Sequence, residues 1–210
     1  MKYSIDQRVW PGAAVLACLA LLTAFLWPQV TSLSILLIAC HFLFFRDPQP
    51  MLPAGEAPVS PAEGKVVEIS HQTENRWLKE ECVKIGICLS LFNAHVNRSP
   101  IQGTVQYLEY VPGKFMNALN PDCVPHNESN WVGLENSSKR VLVRQMAGAI
   151  ARRICFDAKL GTSLARGQKF GVICYGSRVE FFAPKTSFRP LIQIGDQVKA
   201  GQTILGEWLQ

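Results

Sequence analysis

The stretch Phe170-Gly-Val-Ile-Cys-Tyr-Gly-Ser-Arg-Val179 reads as the meeting of two β-rich pieces, Phe170 to Tyr175 and Arg178 to Ala183, divided by the pair Gly176-Ser177. Aromatic and β-branched residues on both sides favour strands, and glycine with serine between them is ordinarily turn chemistry. The same pair has a reactive reading. The Ser177 hydroxyl can add to the carbonyl of Gly176, turning an amide into an ester and exposing the chain to scission. The surrounding sequence has to decide between a turn and a reactive bond.

Working outward, most of the chain after residue 60 has strand character. Lys65-Val-Val-Glu-Ile69, Glu81 to Leu89, Gly103 to Val111 and Arg140 to Met146 are strand candidates, the third ending at the turn signal Pro112-Gly113. Met146-Ala-Gly-Ala-Ile-Ala-Arg-Arg-Ile154 is the one helix expected in this part. Ile194 to Gly206 reads as a β-turn-β unit that Gly64-Lys-Val-Val can pair with. The expected fold class is α+β: a predominantly β soluble domain with a few short helices, preceded by an N-terminal hydrophobic helical hairpin. The expected division is a membrane-associated hairpin over 1–45 and a catalytic domain over 46–210, with Arg46 to about Pro61 as an extended linker.

The hairpin rests on charge and hydropathy. No Asp, Glu, Lys or Arg occurs between Arg8 and Arg46. Two apolar runs meet at Pro28-Gln29, and a bilayer span needs about 20 such residues. Lys2, Arg8 and Arg46 lie outside these runs, which places both ends and the catalytic domain on the cytoplasmic side of a cell membrane. The 210-residue chain carries a net charge of +5, scattered rather than clustered. That excludes a nucleic-acid partner and suits anionic lipid headgroups. The seven cysteines are irregularly spaced without a Cys-x-x-Cys pair, so neither a disulfide framework nor a metal site is expected.

Several motifs occur in order: Phe45-Arg-Asp-Pro48, Ser60-Pro-Ala-Glu-Gly64, His95-Val-Asn-Arg-Ser-Pro100, Pro112-Gly-Lys-Phe115, Ala147-Gly-Ala-Ile-Ala-Arg-Arg153, Gly167-Gln-Lys-Phe-Gly171 and Tyr175-Gly-Ser-Arg-Val179. In this order and spacing the chain resembles the short form of phosphatidylserine decarboxylase, from about Phe44 to the C-terminus. The resemblance implies a proenzyme that cuts itself between Gly176 and Ser177, giving a β chain of 1–176 and an α chain of 177–210 that stay associated. It implies that Ser177 becomes a pyruvoyl group, the covalently generated cofactor, whose ketone condenses with the substrate amine as a Schiff base and accepts the electrons released with CO₂. Such a sink is what amino-acid decarboxylation requires, since no side chain can supply one. The implied reaction turns phosphatidylserine in a membrane into phosphatidylethanolamine, a step of phospholipid biosynthesis.

The resemblance also assigns candidate residues. His95 matches a histidine acting near the decarboxylating carbon, and its ordinary titration range suits that work. Glu63 stands where the family usually has an aspartate that activates the serine or orients the histidine. Asn93-Ala94 replaces the usual Asp-Val, which removes a carboxylate expected to orient His95. Asn127-Glu-Ser129 replaces Asn-Glu-Arg, and Arg98 occupies the position of a second histidine in long forms, which leaves the self-cleavage base open. Arg152 and Arg153 are candidates for a lipid phosphate or substrate carboxylate, since guanidinium pairs bidentately with both. Two other readings stand beside this one: the same chemistry on another serine-headed lipid such as archaetidylserine, and a degenerate or carrier-like β module suggested by the closing Gly-Asp-x-Val-x-x-Gly unit. Self-association into a homo-oligomer is left open.

Overall fold

The computed structural model describes residues 3–117, 124–149, 153–174 and 177–209. Gly176, Arg152 and Cys123 therefore lie outside the described residues. The chain divides into two compact units, Met1–Gln49 and Pro50–Gln210.

In the first unit, β1 (Tyr3–Ile5) leads into α1 (Val9–Leu26), then α2 (Pro28–Phe44) and β2 (Arg46–Pro48). β1 and β2 pair antiparallel, Tyr3 opposite Pro48, so the first residues expected as linker instead close the hairpin at its base. The buried Asp6 accepts from the Arg8 guanidinium at 2.8 Å. Between the helices, His41 Nε2 donates to the Val9 carbonyl at 3.0 Å. A Cβ on Gly12 would stand 2.5 Å from the His41 ring, so only glycine allows this approach. Leu22 and Phe25 on α1 and Leu33, Leu36 and Leu43 on α2 are exposed. Helices apolar on all sides suit apolar surroundings.

The two helices hold 18 and 17 residues. At 1.5 Å per residue each is about 26 Å long, short of the roughly 30 Å hydrocarbon layer. Among the described residues no helix is long and apolar enough to cross a membrane. The physical reason is the break at Trp27, whose φ of −144° ends one helix before the next begins.

The second unit is built of strands: β3 (Gly64–Glu74), β4 (Glu80–Leu89), β5 (Val96–Arg98), β6 (Gly103–Val111), β7 (Ser129–Glu135), β8 (Arg140–Met146), β9 (Ile154–Phe156), β10 (Ser163–Leu164), β11 (Lys169–Ile173), β12 (Ser177–Pro184), β13 (Phe188–Pro190), β14 (Gln197–Val198) and β15 (Gly206–Trp208). An eight-stranded antiparallel sheet runs β10-β6-β7-β8-β12-β4-β3-β14, beside a three-stranded sheet β5-β11-β9 and the pair β13-β15. The fold is thus α+β and mostly β.

The helix expected over Met146 to Ile154 does not form at either described end. Met146 closes β8 and Ile154 opens β9, because both are held in ladders, to Ser129 and Ile173 respectively. The expected pairing of the C-terminal unit with Gly64-Lys-Val-Val does form, Val198 opposite Gly64. Period-two alternation splits the central strand: Val179, Phe181 and Ala183 enter the main core with Ile85, Ile87, Val132 and Val143, whereas Phe182 packs on the other face with Trp131 and Leu142.

Candidate active site

Ser177 is the first residue of β12, which lies between β8 and β4. By alternation its side chain shares the face of Val179 and Phe181. It is 1% exposed, and among the described residues its Oγ has no hydrogen-bond partner. An unpaired buried hydroxyl costs about 1–3 kcal/mol, so its presence calls for a reason beyond packing.

Register brings other candidates to the same end of the sheet. Ser177 lies opposite Leu89, the last residue of β4. On the other side of β4, Lys65 lies opposite Cys88, so Glu63 and Gly64 enter β3 at the level where β12 begins. Gly64 is required there by close approach, since a Cβ would stand 2.2 Å from the Cys88 carbonyl oxygen. The chain leaving β4 then forms the loop that carries Asn93 and His95. His95 is 1% exposed, and its carbonyl accepts from Ile173 N at 3.2 Å, four residues before Ser177.

Asn93 ties this loop to Glu63. Its Nδ2 donates to Glu63 Oε1 at 3.1 Å, and its Oδ1 accepts from the Ser90 amide at 2.9 Å and the Ser90 hydroxyl at 2.7 Å. His95 Nδ1 lies 2.9 Å from the Asn93 carbonyl. A carbonyl can only accept, so Nδ1 carries the proton and a neutral ring holds its lone pair on Nε2. With asparagine at 93 in place of the family's usual aspartate, the backbone carbonyl of residue 93 holds this ring nitrogen. Asparagine also turns what would be two facing carboxylates into a hydrogen bond.

Arg98 is buried and donates to the Gly167 carbonyl at 3.0 Å, bracing the turn before β11. Arg153 is exposed, and its carbonyl accepts from Cys174 N at 3.0 Å, so its backbone adjoins the approach to Ser177. Asn127, in the motif that departs from the family, is a structural clip. It accepts from Met116 N at 2.8 Å and donates to the Met116 and Ala147 carbonyls at 2.9 Å.

On the opposite face of β12, Glu180 is buried and meets Lys84 at 3.0 Å, Arg178 at 3.0 Å and Arg144 at 3.3 Å. Glu68 closes the network, pairing with Lys84 at 3.2 Å and with Arg178. Burial alone would lower the Arg178 pKa, but Glu180, Cys88 and Glu68 outweigh it and raise it above its ordinary value. Burial likewise opposes ionisation of Glu68, yet the Ser70 hydroxyl, Lys84 and Arg178 hold its pKa below the ordinary carboxylate value.

A family model described as phosphatidylserine decarboxylase matches residues 37–206, which include every residue placed in this site. The chain belongs to the phosphatidylserine decarboxylase family. As a member of it, the chain is an enzyme, a carboxy-lyase. It is 42% identical over 164 residues to the phosphatidylserine decarboxylase proenzyme of Carboxydothermus hydrogenoformans, covering 78% of this chain and 77% of that one. It is 39% identical over 204 residues to that of Symbiobacterium thermophilum, covering 96% and 94%. With that of Burkholderia ambifaria the figures are 38% over 211 residues, 97% and 95%. No solved structure matches the chain.

Family membership removes the non-enzymatic carrier reading, and the topology agrees. In the C-terminal unit β14 pairs with β3 and β15 with β13, so the two pieces do not form a free hairpin with each other. Sequence did not single out Asn93 as a link, nor the buried polar residues Asn97, Gln145 and Asn130. Gln145 had a legible signal. It shares the parity of Val141 and Val143, both core residues, and is itself fully buried.

Proposed function

We propose that this enzyme decarboxylates phosphatidylserine to phosphatidylethanolamine and CO₂, after cutting itself between Gly176 and Ser177. The observation that carries this reading is the buried Ser177 hydroxyl at the start of a central strand, without a hydrogen-bond partner among the described residues, with the Glu63 and His95 segments at the same end of the sheet. A hydroxyl left without a partner is available as a nucleophile toward the preceding carbonyl, which no turn role would require.

The site also fits a pyruvoyl group at position 177, since that group needs the same buried place and no added ligand set. When present, a pyruvoyl ketone supplies the electron sink that amino-acid decarboxylation demands. The chain's own residues do the rest. Burial around Ser177 excludes water, which favours loss of a carboxylate charge. His95, its Nδ1 held by the Asn93 carbonyl, passes a proton at the carbon that loses CO₂. Glu63 holds the His95 loop through Asn93. Arg153 meets the lipid phosphate or the substrate carboxylate, and Arg152 is proposed for the same task from sequence alone.

The cut would leave an α chain, 177–210, and a β chain, 1–176. Their association is supported by β12, which pairs along its length with β4 and also with β8. Breaking one peptide bond at its first residue leaves those ladders in place. The apolar helices of the first unit support association with the cytoplasmic face of a membrane.

Intact mass of the purified protein under denaturing conditions tests the reading. Two fragments divided after Gly176, the smaller with a blocked N-terminus, are expected. A single uncut chain would sink self-cleavage. Assays with phosphatidylserine and archaetidylserine vesicles then identify the lipid, with CO₂ release expected from the first.

A further inference from the structure

A buried chain of side-chain amides runs beneath the candidate site. Asn130 Nδ2 donates to Gln145 Oε1 at 3.0 Å, and Gln145 Nε2 donates to Asn97 Oδ1 at 2.7 Å. All three residues are buried, Asn97 and Gln145 fully. The relay joins the large sheet, through β7 and β8, to the small one, through β5. It ends at Asn97 Nδ2, which among the described residues has no hydrogen-bond partner. Gly171, opposite Asn97, keeps room for the relay, since a Cβ there would stand 3.0 Å from Gln145 Nε2.

Two buried polar groups without a hydrogen-bond partner among the described residues, Ser177 Oγ and Asn97 Nδ2, thus lie on one side of the large sheet. Gln145 is opposite Val179, and Ser177 lies two residues along the same strand on the same face. Such diagonal neighbours are about 7–8 Å apart, within reach of long side chains. Asn97 is also two residues beyond His95. One group is a nucleophilic hydroxyl and the other an N–H donor whose direction is set by two amides behind it.

We propose that Asn97 is the oxyanion donor for self-cleavage, a role that rests on the self-cleavage reading above. Attack by Ser177 Oγ forms a C–O bond at the Gly176 carbonyl, and the π pair moves onto the carbonyl oxygen. Asn97 Nδ2–H stabilises that charge. Collapse breaks the Gly176 C–N bond, and the proton lost by the hydroxyl ends on the Ser177 nitrogen, so the N-to-O acyl shift needs no other reactant. Removing one such donor typically slows a reaction about 100- to 1000-fold. Leaving the Asn97 donor buried without a partner among the described residues costs stability, and this role accounts for that cost.

The experiment is cell-free synthesis of the full chain, with the two fragments followed by intact mass over time. Asn97→Asp keeps the shape and the bond from Gln145 but replaces the free donor with an acceptor. Cleavage at least about 100-fold slower than wild type is expected. Gln145→Glu is the second arm. It still accepts from Asn130 but cannot donate, so Asn97 turns its own N–H toward residue 145; comparable slowing is expected with residue 97 untouched. Urea midpoints in the Ser177→Ala background identify which variants fold. Folded variants that cleave within about threefold of wild type would overturn the proposal. A wild-type chain that stays uncut would instead overturn the self-cleavage reading itself, a separate and distinguishable result.

Discussion

Ser177 and Arg178 are neighbours in sequence and opposites in environment. Arg178 sits in a network in which Glu180 alone meets three cations, and both residues are nearly fully buried. Ser177, one residue earlier on the other face, has no partner for its hydroxyl among the described residues. The contrast shows how one strand can carry a locked face and an uncommitted one at once. Ion pairs on one face fix where β12 begins, and the other face keeps a hydroxyl uncommitted. On the proposed function, stability and chemistry are divided between the two sides of a pleat.

The largest way to break this contrast is Ser177→Ala, which is expected to abolish both the cut and CO₂ release. Retained decarboxylation by that variant would remove position 177 from the chemistry. Next comes Glu180→Gln on the other face. Removing one partner of a buried ionic network costs about 3–5 kcal/mol, so the urea midpoint should fall sharply. An unchanged midpoint would show the network to be dispensable. Glu63→Gln keeps an acceptor for Asn93 but discards the charge. Losing a charge-assisted bond of about 1.5 kcal/mol predicts cleavage on the order of tenfold slower. Wild-type cleavage in that variant would make Glu63 structural.

Smaller still, and opposite in sign to Glu180→Gln, Ser177→Ala should leave folding unharmed or stabilise it by about 1 kcal/mol, because it removes an unpaired hydroxyl. A clear drop in the urea midpoint would mean that the hydroxyl has a structural partner. The smallest effect is a pH dependence. Glu68 has a lowered folded-state pKa, so its contribution is present above the unfolded value of 4.5 and is lost as pH falls below that value through the folded one. Because Glu68 is partly exposed, the slope is modest; urea midpoints measured between neutral and acid pH should show it weakened in Glu68→Gln.

Local signals were enough for much of this. The strands near Lys65, Glu81, Gly103 and Arg140 follow from alternation and β-branched content, because a half-buried strand needs side chains sorted by face. Gly113, read as a turn glycine, stands where a Cβ would lie 2.4 Å from the His126 carbonyl oxygen. The described ends of the segment from Met146 to Ile154 lie in strands, where alanine-rich propensity is a weak term that ladder hydrogen bonds override. The hairpin was legible from its missing charges, but its helices stop short for a reason that hydropathy does not see, the backbone at Trp27.

By itself the sequence determined the Gly-Ser pair between two β-rich pieces, the motif residues His95 and Glu63, the family resemblance and the apolar N-terminus, since each depends on residue types at short range. Only the tertiary structure decided which groups meet. Asn93 joins Glu63 across 30 positions, and Gln145 reaches Asn97 across 48. Whether a buried hydroxyl or amide is left without a partner is likewise a property of everything packed around it. Contacts between residues so far apart in the chain depend on strand register and on how the sheets come together, and no window of sequence contains that information.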